Sequence, residues 1–278
     1  MGVERLDGVV EKLVRADTHL QAIEVAEANY IVPGTYGVRR QYEERIPEKS
    51  GRSGLTWRED LNPAPPLRIA VLCGDFVHNV RSALDHLATA LVLENEGTPS
   101  EDWPFTHFPI CEDRLTEKGR ERSVTVVGGI SDEAAFLLDT LQPYQRVDDP
   151  TLHPLWLLNR LWNVDKHRTL NVVAVNLGRV TIKFEDGRTG YATAEPFADE
   201  HLIYWVLEDN DAYDPDADPT IEYKPTLAFR DVEGGAEKDP VPVVDLLKEL
   251  RNYVRYDVVE PFARLSFAGK LVLPEPVF

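Results

Sequence analysis

Apolar residues recur along this chain at two rhythms, and the rhythm changes near residue 169. Before that point the spacing is three and four, the period of a helix with one buried side. Residues 3–29 carry Leu6, Val9, Val10, Leu13, Ala16, Leu20, Ile23 and Ala26 at this spacing. Residues 66–96 carry Ile69, Leu72, Cys73, Phe76, Val80, Leu84, Leu87 and Leu91. The prolines just before them suit a first helical turn. A short helix is predicted from Ser131, a good N-cap, to the stop at Gln142-Pro143. Another runs from Leu155 to Arg168, with Leu155, Leu158, Leu161 and Trp162 inward. The last runs from Pro242 to Arg264 on a stripe from Val243 to Phe262.

From 169 to 231 the apolar runs are short and β-branched, separated by Asn, Gly, Asp and Pro. Four strands are predicted, at 172–175, 180–184, 202–207 and 221–229. Pro33-Gly34 marks a turn between short β-type runs, and the charged stretch 43–66 holds one strand at Leu55–Arg58. The pattern predicts an α+β fold: a helical bundle of about four long helices with an antiparallel β-sheet inserted before the C-terminal helix. Residues 1–278 are read as a single domain, with 169–231 as a β-rich insertion. The helices are expected to pack together, because no stripe can be left in water.

Charge and cysteine content narrow the classes. The 30 Lys and Arg against 48 Asp and Glu give a formal charge of −18. This opposes broad phosphate binding, which Lys and Arg drive by releasing counterions, so DNA is not an expected partner. No segment approaches the ~20 apolar residues that span a bilayer, so no membrane partner is expected. The first residues lack an apolar signal core, and Leu6 stands where a myristoylation signal needs Ser or Thr. Cys73 and Cys111 are too few for a disulfide framework, and a reducing cytoplasm is the expected compartment.

The polar side of the 66–96 helix is unusual. It holds Asp75, His78, Asn79, Ser82, Asp85 and His86, with Arg81 at the border, and no Lys or Glu occurs from Ile69 to Leu93. A solvated face normally fills with Lys and Glu. Short, poor helix formers there predict a face that packs against something or does chemistry. His78, Ser82 and Asp85 fall at i, i+4 and i+7 on one side, and Arg81 and Asp85 can pair at i, i+4. A second set, Asn163-Val-Asp165-Lys-His167-Arg, ends the 155–168 helix. Asp165 continues that helix's inward stripe and needs a partner such as His78, Arg81 or His86.

Arg81 followed after four residues by His86, on a bundle helix, is similar to the motif of HEPN-domain ribonucleases. The resemblance implies metal-independent RNA cleavage in which His86 moves protons, Arg81 stabilises phosphate charge and two protomers compose the site. It therefore implies RNA and a second copy of the chain, as a homodimer, as partners. His78 and Asp85 would join the catalytic set, supported by Asn79, Ser82, Asp165 and His167. The chain departs from the family at Ser82, where a residue such as Asn usually follows the arginine. The motif also lies in the second long helix, not late in the bundle. The late helix has Arg251-Asn252, followed by Asp257 and not by histidine. A broader resemblance, to a group of uncharacterised bacterial proteins, rests on the phrases 74–87, Phe108-Pro-Ile, Leu141-Gln-Pro-Tyr and Asp165-Lys-His-Arg. It implies no activity.

Two other readings compete. The polar residues can form a structural network that fixes helix register in a non-catalytic binding or assembly protein. They can also supply metal ligands from His78, Asp85, His86, Asp165 and His167, although no Glu-x-x-His motif is present. No cofactor is expected, since no phosphate-binding glycine loop occurs. The aspartates of 209–220 lack the Gly and Glu of a calcium loop and read as a solvated loop. His19 is read as exposed, His107 as part of a packed aromatic loop, His153 as structural at a helix start and His201 as structural near a strand.

Overall fold

The computed structural model describes residues 4–32, 36–43, 54–61, 64–96, 106–113, 129–146, 149–175, 179–183, 187, 189–193, 202–206, 220–222, 225–234 and 239–267. The fold is α+β, a helical bundle with antiparallel β-structure before the C-terminal helices. The chain groups into two compact units. One comprises Met1–Glu24, Leu67–Asn171 and Val243–Phe278; the other comprises Val25–Pro66 and Val172–Pro242.

In the first unit the helices are α1 (Asp7–Tyr30, of which the residues from Val25 on belong to the other unit), α2 (Leu67–Glu96), α3 (Asp132–Thr140), α4 (Pro154–His167), α5 (Val243–Asn252) and α6 (Glu260–Ser266). Helix α2 packs on α4 and α5, α4 on α5, and α3 on α6. The stripes form the core: Leu6, Leu13, Ile23, Phe76, Val80, Leu84, Leu87, Leu155, Leu158, Leu161, Leu247 and Phe262 are all buried. Each such side chain contributes about 1.5–3 kcal/mol by leaving water. Val77, Ala83, Ala88 and Ala90 are buried as well, so α2 is enclosed over more of its circumference than one stripe.

The C-terminal helix differs from the single α-helix predicted. Between α5 and α6, residues Tyr253–Val259 are π-helical, and the Glu260 N–H donates to Arg255 O, five residues back. Pro261 supplies the reason. It has no N–H, and its ring crowds the carbonyl four residues before it, which a wider turn relieves. The start of α4 is tied to this segment. His153 Nδ1 accepts from the Leu155 N–H at 3.2 Å, and Nε2 lies 3.2 Å from the Tyr253 hydroxyl. Since Nδ1 accepts, the neutral ring carries its proton on Nε2 and donates it to Tyr253. Burial, then Arg146, pushes the His153 pKa down to about 4. Burial, then Asp257, pushes Tyr253 up to about 12.

The second unit is richer in β-structure than the four strands predicted in 169–231 and the one predicted at Leu55–Arg58. Its described strands are β1 (Tyr36–Glu43), β2 (Gly54–Leu61, within which the strand predicted at Leu55–Arg58 lies), β3 (Val172–Val175), β4 (Arg179–Lys183), β5 (Thr189–Thr193), β6 (Leu202–Val206), β7 (Thr220–Glu222), β8 (Thr226–Gly234) and β9 (Asp239–Pro242). They form three antiparallel sheets, ordered β1-β2-β6, β3-β8-β9 and β5-β4-β7. The β-region therefore extends beyond 169–231. It begins with β1 and β2, ahead of α2, and β2 pairs with β6 from Gly54↔Val206 to Arg58↔Leu202. Glu27, at the end of α1, accepts from the Leu227 N–H at 2.9 Å and the Thr226 hydroxyl at 3.1 Å, anchoring the start of β8. Among the described residues no helix is long and apolar enough to cross a membrane. His201 and the aspartates of 209–219 lie outside the described residues.

Candidate functional site

The polar residues of α2 are divided among different neighbours. Arg81 is only 4% exposed. Its Nη1 donates to Asp85 Oδ1 at 2.6 Å, and its Nη2 donates to the carbonyl oxygen of Phe108 at 2.7 Å. The same Asp85 Oδ1 accepts from the Phe108 N–H at 2.9 Å. One turn of α2 thus takes both backbone groups of one residue, as a neighbouring strand would. Burial lowers the Arg81 pKa, and the charge and hydrogen bond of Asp85 oppose this. Arg81 Nε is buried and makes no hydrogen bond among the described residues.

Gln142, fully buried, grips the next residues: its Nε2 donates to Pro109 O at 3.1 Å and its Oε1 accepts from the Cys111 N–H at 2.9 Å. Phe108 itself is fully buried, edge-on to Phe262 at 6.5 Å. Segment 106–111 is therefore fixed by α2 on one side and by the Gln142 turn on the other.

His86 is elsewhere. It is exposed, and its ring lies against Gly8 of α1, where a Cβ would stand 2.4 Å from Nδ1. Arg81 turns toward Phe108 and α4, so the described contacts do not bring the two motif residues together. Asp165 is half-buried with its carboxylate on Gly74 of α2, where a Cβ would meet Oδ1 at 2.2 Å. Burial, then Asp75, raises the Asp165 pKa, while His78 lowers it. His78 is exposed and acts on Asp165 through space; no hydrogen bond joins Asp165 to Arg81, His78 or His86 among the described residues. Asn79 is buried and donates to Asp75 O at 2.7 Å, a bond within its own helix. Ser82 is half-buried, and His167 is exposed in the last turn of α4. His19 is half-buried, not exposed; burial lowers its pKa, Asp75 raises it and Arg15 lowers it. Among the described residues no three His, Cys, Asp or Glu side chains converge as a metal site would require.

What the Arg81–Asp85 pair borders is an open cleft of about 650 Å³. Its walls are Arg81 and Asp85 of α2, Thr106, His107, Phe108 and Ile110, and Asn159, Trp162 and Asn163 of α4. Such a volume is in the range of small-molecule sites. Asn159 and Asn163 lie one turn apart, and the side chain of neither makes a hydrogen bond among the described residues. Trp162, expected inward, is half-exposed between them. Lys166 Nζ lies 3.1 Å above the Trp162 ring centroid, with the Arg81 guanidinium carbon at 5.2 Å. His107 is exposed on the rim beside the buried Phe108, while Trp103 and Phe105 of the aromatic loop read around it lie outside the described residues. Asp85 Oδ2 has no hydrogen bond among the described residues.

The polar pattern of α2 does not point to Asn159, Asn163, Thr106 or His107. Two asparagines at i, i+4 in one helix are a usable signal, because Asn is a poor helix former and a solvated face has better choices. The position of His107 depends on the fold of 106–111 and has no local signature. No family model, no curated protein and no solved structure matches the chain.

Proposed function

We propose that the protein is a non-catalytic binding protein, that its site is the cleft between α2, α4 and residues 106–110, and that it takes a nucleobase-bearing chain, single-stranded RNA. The observation that carries this reading is the position of Arg81. It lines the cleft, yet both terminal nitrogens are committed to Asp85 and Phe108. A guanidinium held this way builds a wall and has little left for a scissile phosphate. The remaining groups suit a base. Side-chain amides can meet a base edge at two points, as at Asn159 and Asn163, and unstacked bases pack on rings such as Trp162, where a base on the face under Lys166 takes the place of the exposed ammonium. Lys166 and His167 end α4 and Arg168 caps it, all exposed, a local basic turn on a chain of −18. Binding to a labelled RNA oligonucleotide tests this. Wild type should bind without cutting, and Asn159→Ala with Asn163→Ala should lose most of the affinity. Equal binding by that double variant would refute the cleft.

One observation favours the HEPN-like ribonuclease instead. Arg81 and the exposed His107 share the cleft, so a cation and a proton-transfer group face one ligand. That reading requires Arg81 to release Phe108. It also gives His107, not His86, the acid–base role.

A further inference from the structure

We infer that the groove between α3 and α6 docks a basic amphipathic helix of a partner protein. Phe136, on the outer side of the nine-residue α3, is 73% exposed, and Leu265 of α6 is 46% exposed. Two adjoining hollows share Leu265 and Glu133. One, of about 740 Å³, is lined by Phe136, Leu137 and Pro261, and the other reaches Leu91 and Ala134. A phenylalanine this exposed beside a second large apolar side chain marks an interaction face more often than a scattered surface residue does. The apolar floor suits anchors at i, i+3, i+4 and i+7 of an incoming helix.

The rim decides which helix. Asp132 and Glu133 from the first turn of α3, and Glu94 from α2, stand around the groove. Arg264 is 2.9 Å from Glu260 and offsets its charge, and Arg5 is 3.1 Å from Glu94 and offsets that one, which leaves Asp132 and Glu133 as the acidic groups of the rim. The net character of the edge is acidic, so flanking Lys or Arg on the partner is complementary. A second copy would bring the same acidic edge and a formal −18 to the contact.

The test uses the full chain with two peptides of identical leucine spacing, one Leu/Lys and one Leu/Glu, followed by fluorescence anisotropy. Wild type should bind the Leu/Lys peptide and not the Leu/Glu peptide. Phe136→Ser keeps the net charge and removes an exposed ring, so the fold should survive. Binding should then weaken at least about tenfold, the loss expected of an aromatic anchor. Asp132→Asn with Glu133→Gln should weaken it further and flatten its salt dependence. Equal affinity of Phe136→Ser and wild type would show that bulk charge alone attracts the peptide and would overturn the proposal. So would failure of wild type to bind, or binding of both peptides alike. A concentration-dependent dimer, lost in Phe136→Ser, would assign the face to a second copy and overturn it as well.

Discussion

Arg81 and Asp85, one turn apart and 2.6 Å from each other, close on the backbone of Phe108 from both sides: the arginine meets its carbonyl and the aspartate its N–H. A pair that reads in isolation as catalytic thus has a structural task. It holds a loop that the helix does not touch in sequence.

The first prediction follows from that task. Arg81→Ala leaves the Phe108 carbonyl in a buried place without its donor, which costs roughly 1–3 kcal/mol. Arg81→Lys should recover little, since one ammonium cannot reproduce the planar fork that reaches two acceptors. Urea denaturation of wild type and both variants measures this. An unchanged midpoint in Arg81→Ala would show that the grip adds nothing to stability.

A second prediction concerns Gly74. Replacing glycine by alanine in a helix normally stabilises by about 0.5–1 kcal/mol. Here the new Cβ would stand 2.2 Å from Asp165 Oδ1 and 2.7 Å from its Cγ. Gly74→Ala should therefore be neutral or destabilising in the wild type and stabilising when Asp165 is also Ala. The difference in sign between the two backgrounds, read from melting temperatures, is the outcome to look for.

The pH dependence has two opposite contributions. Burial raises the Asp165 pKa in the folded chain above its usual 3.8. Such a group favours the fold most below 3.8, and that contribution is lost as pH rises through the raised value. Asp165→Asn should therefore stabilise at neutral pH, with the gain vanishing in acid. His153 acts the other way. Its folded pKa is about 4 against an ordinary 6.5, so its stability is present above 6.5 and lost as pH falls toward 4. His153→Asn keeps an N-cap and should remove that part of the acid slope. Melting curves at stepped pH would show whether the slope between 6.5 and 4 is shallower in the variant.

The sequence carried the helices well because burial imposes its period locally. Ile69, Phe76, Val80, Leu84 and Leu87 announce one face without help from any other part of the chain. The π-helical turn keeps nearly the same stripe, and only Pro261 hints at it. Strand β1 starts in the short β-type run after Pro33-Gly34, but Arg39, Arg40 and Glu43 break its apolar alternation, so its full eight residues have no local signature. Its pairing with β2, which in turn pairs with β6, is a long-range fact. The site divides similarly. The Arg81–Asp85 pair is legible from i, i+4 spacing, but its partner Phe108 is 27 residues away from Arg81. The cleft residues Thr106, His107, Asn159 and Asn163 become neighbours only once residues 106–111 are clamped by Arg81, Asp85 and Gln142.

The central claim is that the cleft binds RNA and leaves it intact, with Arg81 serving the fold. The direct measurement is incubation of the full chain with a labelled single-stranded RNA in excess EDTA, with a gel for cleavage and anisotropy for binding. Wild type, His86→Ala and Arg81→Ala are run side by side. The account predicts saturable binding by wild type and His86→Ala, weaker binding with lower stability in Arg81→Ala, and full-length RNA throughout. Cleavage by wild type would contradict it: loss in both variants would restore His86 and Arg81 as a catalytic pair, and loss in Arg81→Ala alone would favour Arg81 with His107.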